Sequence, residues 1–132
     1  RGPVPAAAPK SAKPSARGAT AGAPPPAAGE TAASCYKRGR DLMLEEKLTE
    51  AIDQFDQALK LDPKMSLALN ARGYAHYRLK HLPEALRDLD VAIQLNPNYA
   101  NAYQNRSSAR KASGDAVGAE ADAAKARQLT AK

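Results

Sequence analysis

The 132-residue chain has no tryptophan, one phenylalanine, two methionines and a single cysteine. Cys35 has no second thiol to pair with, so an intrachain disulfide is excluded and the redox compartment stays open. With so few aromatics the core must be thin and built from alanine and leucine. No apolar run approaches the ~20 residues of a membrane span. There is no glycine-rich phosphate loop, no serine-centred elbow and no paired-carboxylate motif. His76 and His81 form no metal-ligand pattern, and Cys35 has no histidine set up to activate it. His76 and Cys35 both fall on core positions of a helix, and Glu45, Glu46, Asp88 and Asp90 read as surface or pairing charges. These absences predict no catalysis, no cofactor and no bound metal.

What is present divides unevenly. Residues 1–30 hold seven of the ten prolines, with alanine, glycine and serine filling most of the rest. Such a stretch cannot bury enough apolar surface to offset the entropy of ordering it. It reads as a disordered, semi-extended linker, stiffened at Pro24, Pro25 and Pro26. The folding part is then 31–132. The linker carries four basic residues and one acid, and the remainder sixteen and thirteen, so each part has a net charge of +3. A small excess, half of it in a flexible arm, argues against a nucleic-acid partner. The chain does not open on Met and shows no leader pattern, which suggests a piece of a longer protein. Its Ala-, Pro- and Arg-rich composition suggests a bacterial source.

The strongest positive signal is a 34-residue period. Arg38 recurs as Arg72 and Arg106, Gly39 as Gly73 and Ser107, and Ala51 as Ala85 and Ala119. Ala58 recurs as Ala92 and Ala126, Leu61 as Leu95 and Leu129, and Pro63 as Pro97. A fixed period of this size marks one supersecondary unit stacked on copies of itself. Within each unit the apolar residues recur at three and four, the helical spacing. Six helices are predicted: 31–46, 49–61, 66–80, 83–95, 99–113 and 115–130. Pro63 and Pro97 end two of them, Pro83 suits a first turn, Thr49 is a candidate cap, and Gly114-Asp115 makes a turn. Connections this short force antiparallel hairpins.

Gly39, Gly73 and Ser107 lie mid-helix, where glycine costs ~1 kcal/mol against alanine. Repetition of that cost predicts close helix approach, with Ala51, Ala85 and Ala119 facing the small residues. Leu42, Phe55, Leu59, Leu69, Leu89 and Ile93 fill the rest of the core.

These residues resemble the tetratricopeptide repeat. The family's pattern of small residues and a late proline appears as Gly39, Ala51, Ala58 and Pro63, then as Gly73, Ala85, Ala92 and Pro97. It fades to Ser107, Ala119, Ala126 and Ala131 in the third unit. The resemblance implies an all-α fold: a right-handed α-solenoid of three helix-turn-helix units, spanning about 32–65, 66–99 and 100–132. Arg38, Arg72 and Arg106 stand where the family usually has leucine. An isolated buried Arg is costly, so repeat position predicts Asp88 as the partner of Arg72 and Asp122 as that of Arg106. Arg38 has Gln54 at that position and must use Asp53, Asp56 or solvent. The alternative is that the stems pack while the heads reach water. The last helix, mostly alanine and charge, acts as its own cap or mediates dimerisation.

In this family the first helices of the units line a concave groove that takes a peptide. Carried over residue by residue, groove candidates are Tyr36, Arg40 and Met43, then Asn70, Tyr74, Tyr77 and Arg78, then Asn101, Gln104, Ser108 and Lys111. Arg40, Arg78 and Lys111 on one face favour an acidic or C-terminal peptide; the plain alternative is that Tyr74 or Tyr77 packs between helices. Family members that hold heat-shock protein tails use a two-carboxylate clamp of Lys, Asn, Asn, Lys and Arg. Those positions here are Tyr36, Arg40, Ala71, Asn101 and Asn105, and none matches. The implied function is a protein interaction module with a protein or peptide partner. The competing readings are a self-associating structural module and a groove occupied by the chain's own linker.

Overall fold

The computed structural model describes residues 25–131. Of the expected linker, residues 1–24 lie outside the described residues. Six helices follow: α1 (Ala32–Leu44), α2 (Leu48–Leu61), α3 (Ser66–Arg78), α4 (Leu82–Leu95), α5 (Ala100–Ala112) and α6 (Ala116–Thr130). They form three antiparallel hairpins stacked as an all-α solenoid.

Local chemistry sets the helix ends. Thr31 opens α1 with a reciprocal capping box: its Oγ1 accepts from the Ser34 amide, and Ser34 Oγ accepts from the Thr31 amide. The α1 and α3 helices stop two residues earlier than the sequence predicts. The reason is a shared left-handed residue in each hairpin turn: Glu46 (φ 62°), Lys80 (φ 68°) and Gly114 (φ 91°) occupy the same repeat position. Only the third is a glycine, so only the third was visible as a turn. The α2 helix begins at Leu48, with Lys47 at its cap position, so Thr49 lies inside the first turn and caps nothing. Pro83 does occupy the first turn of α4, and Asp115 caps α6 by accepting from the Gly118 amide at 2.8 Å. Helices α2 and α4 end at Leu61 and Leu95. The residues before Pro63 and Pro97 are pushed to extended backbone, with φ −142° at both Asp62 and Asn96.

The glycines are required by contact. A Cβ on Gly39 would lie 2.4 Å from the Phe55 ring, and one on Gly73 would lie 2.9 Å from Leu89 Cγ. Thus the large residue one turn beyond Ala51 or Ala85 covers the glycine. The alanine contributes less than predicted: the Ala85 carbonyl would be 3.3 Å from the added carbon. In the third unit Ser107 donates to the Ala119 carbonyl at 2.7 Å instead. Phe55, Leu89, Leu59 and Leu69 are buried, while Leu42 and Ile93 are only half-buried.

The arginines lock the units together. Arg72 is buried and bidentate to Asp88, 2.8 Å on each arm, while its Nη1 donates to Asp56 at 2.8 Å. Arg106 repeats this with Asp122 (2.9 and 2.8 Å) and Asp90 (3.0 Å). Each guanidinium therefore bridges the acid of its own hairpin, sixteen residues ahead, and the acid of the preceding hairpin, sixteen behind. Burial works against the Arg72 charge, but Asp88 and Asp56 outweigh it and hold its pKa above the ordinary value. Burial also raises the Asp56 carboxyl, with Arg72 opposing. Among the described residues no hairpin precedes that of Arg38. Arg38 donates to Gln54 at 3.1 Å and to Glu30, which lies just before α1 and takes the place of the missing acid. Asp53 and Asp56 do not serve it. At the other end, the positions of Asp56 and Asp90 are taken by Ala124, and those of Leu59 and Ile93 by Arg127, which pairs with Glu120 at 3.1 Å. The outer face of α6 thus lacks both the acid and the apolar residue that the inner seams use.

Candidate functional site

Because consecutive helices are antiparallel, α1, α3 and α5 run parallel and share one face. Between them lies a cavity of about 580 Å³. Helix α1 supplies Tyr36, Arg40, Met43 and Leu44, one stripe at three- and four-residue spacing. Helix α3 supplies Leu67, Asn70, Ala71 and Tyr74; α5 supplies Asn101 and Asn105, with Tyr99 just before it; Phe55 closes the floor.

Six of the eleven sequence-derived candidates line this cavity: Tyr36, Arg40, Met43, Asn70, Tyr74 and Asn101. The others stand elsewhere. Tyr77 packs against the buried cluster of Ala85, Leu89 and Ala109, with its ring 6.0 Å from Tyr74. Arg78 is engaged by Glu46 across the hairpin ends and lies 5.8 Å over the Tyr74 ring. Gln104 and Lys111 are exposed and Ser108 is half-buried, none of them a lining residue. Of the lining residues, Leu44, Phe55, Leu67 and Tyr99 had been given no groove role. Ala71 and Asn105 had entered only as clamp positions. All five clamp positions (Tyr36, Arg40, Ala71, Asn101 and Asn105) line the cavity.

The polar side is an amide cluster. Buried Asn70 donates both amide hydrogens, to Asn101 Oδ1 at 2.9 Å and to the Tyr99 hydroxyl at 3.1 Å. Its Oδ1 accepts from Asn105 at 2.9 Å, so both of its donor hydrogens and one of its two acceptor sites are used. Asn105 also donates to Asn101 Oδ1 at 3.3 Å. Among the described residues, Asn101 Nδ2 and Asn105 Oδ1 have no partner. Burial raises the Tyr99 phenol, partly countered by the Asn70 hydrogen bond, so it stays neutral.

The charge is simpler. Arg40 is the one ionic side chain of the lining, and no acid lines the cavity. It is exposed, makes no ion pair among the described residues, and is held only by its position 5.8 Å over the Tyr36 ring. The apolar walls are partly bare: Leu44 is 81% exposed and Leu67 45%. Such a site can take an extended chain with an anionic group and apolar side chains.

No group of three or more metal-ligating side chains exists among the described residues, and no described helix is long and apolar enough to cross a membrane. Cys35 is buried, and burial raises its thiol, which suits packing rather than nucleophilic attack. His76 is buried too; burial pulls its pKa down to about 4, and its Nδ1 sits 3.2 Å from that of His81.

Three stacked helical hairpins with a concave cavity define an α-solenoid repeat protein. The tetratricopeptide repeat model matches residues 36–100, and the chain belongs to the tetratricopeptide repeat family. RNA polymerase II-associated protein 3 of Xenopus laevis is 34% identical over 102 residues, which is 77% of this chain and 16% of the relative. Hsc70-interacting protein 1 of Drosophila melanogaster is 38% identical over 71 residues, 54% of this chain and 19% of the relative. The chain thus spans less than a fifth of either relative's length. Both come from animals, so neither supports the bacterial source suggested by composition. Among solved structures, the first repeat domain of Spaghetti (RPAP3) bound to the HSP90 peptide SRMEEVD superposes with a TM-score of 0.73. It is 29% identical, and the match covers 75% of this chain and 79% of that one.

Proposed function

We propose that residues 31–132 form a protein interaction module whose groove, between α1, α3 and α5, holds a peptide segment of a partner, with a preference for acidic or C-terminal segments. Residues 1–30 serve as its Pro/Ala-rich linker. The observation that carries this reading is Arg40: a cation that makes no ion pair among the described residues, set over the Tyr36 ring in an open cavity with no acid in its lining. Arg72 and Arg106 each bridge two acids in the seams, whereas Arg40 stands unpaired at the groove, which suits a charge arriving from outside. The neighbouring structure of Spaghetti, which holds the acidic peptide SRMEEVD in the same fold, supports the reading.

Titrating the domain with SRMEEVD and with SRMQQVN-amide, its counterpart without carboxylates, tests it, by calorimetry and by amide shifts of the groove residues. The acidic peptide is expected to bind more tightly, with shifts at Tyr36, Arg40, Tyr74 and Asn101. Equal affinity for the two peptides overturns the acidic preference, and shifts confined to other faces overturn the groove.

A further inference from the structure

Resting on that reading, we infer that the groove is built for one carboxylate, the C-terminal one of a chain ending in a large apolar residue, and that it gains nothing from a second carboxylate on that residue.

The charge inventory comes first. A terminal aspartate presents two carboxylates within a few ångströms. Holding both out of bulk water needs two cationic partners or a dense set of donors. This cavity has one cation, Arg40. Its other side-chain donors are uncharged: the hydroxyls of Tyr36, Tyr74 and Tyr99, and amides that are largely spent, since Asn70 gives both hydrogens to Asn101 and Tyr99, and Asn105 gives its own to Asn70 and Asn101. Within the amide cluster, what remains open is one N–H donor group at Asn101 and one acceptor at Asn105. That pair matches a peptide unit of the ligand backbone, C=O to Asn101 and N–H to Asn105, and an anion gains little from it. A second carboxylate would lose hydration near the amide cluster without a countercharge.

The second observation is the surface around Arg40. Met43 and Leu44 are its neighbours at three and four residues along α1, and Tyr74 holds the same repeat position on α3. All line the cavity, and Leu44 is the most exposed large apolar side chain there at 81%. A residue whose carboxylate is gripped by Arg40 would place its side chain on this shelf, where an apolar group removes Leu44 and Met43 from water. A charged side chain at the same place would be desolvated against them.

The experiment uses the whole chain and three peptides: SRMEEVD, SRMEEVL and SRMEEVL-amide, each also tested on Arg40→Gln, with Arg87→Gln as an exposed charge control on α4. SRMEEVL is expected to bind more tightly than SRMEEVD, and amidation to weaken it by about tenfold or more. Arg40→Gln should erase the difference between acid and amide, and Arg87→Gln should preserve it. If SRMEEVD binds as well as SRMEEVL, the site rewards two carboxylates and the inference falls while the groove reading stands. If amidation changes nothing, the carboxylate anchor falls. If no peptide shifts the groove resonances, the groove reading falls and takes the inference with it.

Discussion

Arg72 and Arg40 are the same side chain in opposite circumstances. Arg72 sits in the seam between hairpins, 6% exposed, with a carboxylate on each side at 2.8 Å. Arg40 sits in the groove, exposed, with only an aromatic ring for company. A buried charge pair contributes little net stability beyond what apolar packing would give, yet breaking it leaves a bare charge in the interior. The seam arginine is therefore indispensable to the fold it occupies, and the groove arginine is dispensable to the fold and available to a ligand.

The sharpest way to break this comparison is Arg72→Ala. It strands Asp56 and Asp88 without a counterion and should cost about 3–5 kcal/mol, read as a lower denaturant midpoint. Replacing all three residues with leucine should restore much of that loss, because the buried charges then disappear together.

A smaller effect attaches to His76, packed beside the Arg72 seam. Its folded pKa of about 4 lies below the unfolded value near 6.5. Above pH ~6.5 neither state is protonated and the residue contributes no pH dependence. As pH falls through the window from ~6.5 to ~4, the unfolded chain takes up a proton that the folded chain refuses. Stability should therefore drop by about 2–3 kcal/mol across that window. Comparing chemical denaturation of the native chain and His76→Gln at pH 7 and pH 4.5 isolates the contribution, which should vanish in the variant.

Gly39→Ala should cost about 1–3 kcal/mol, since the added carbon meets the Phe55 ring at 2.4 Å and overpacking outweighs the helical gain. A thermal melt showing no change would mean that Phe55 can swing aside. The smallest effect is expected where the comparison predicts it. Arg40→Gln should leave stability within about 0.5 kcal/mol, because exposed side chains away from special features seldom matter more. A large destabilisation would mean that the stack of Arg40 on Tyr36 is structural.

The fold was legible because a stacked repeat writes its contacts at one fixed spacing. The seam was nearly as legible. Asp88 and Asp122 followed from repeat position, and the second acids, Asp56 and Asp90, lie at the mirror-image spacing of sixteen residues before each Arg. The same count from Arg38 reaches Gly22, and nothing in a spacing rule points to Glu30 as the substitute. The hairpin turns were legible only at Gly114, since Glu46 and Lys80 take the left-handed conformation without the residue type that announces it. The groove was legible along α1 but only in part along α3 and α5. The family resemblance placed Tyr36, Arg40 and Met43 on α1, yet could not place Tyr99 and Leu67 beside them, nor pack Tyr77 against the Ala85 cluster and Arg78 onto Glu46.

The sequence by itself determined the period, the three hairpins, the glycines that let helices meet, and the first acid of each seam, Asp88 and Asp122. These follow from local spacing and from the cost of burying a charge, both readable one chain position at a time. The tertiary structure alone decided which of the cations would be neutralised. Arg78 found Glu46 thirty-two residues away, and Arg40, one turn from the end of α1, found no acid, because the stacking of three helices sets which side chains share a face. That stacking is what turned one arginine of many into the charge the groove presents.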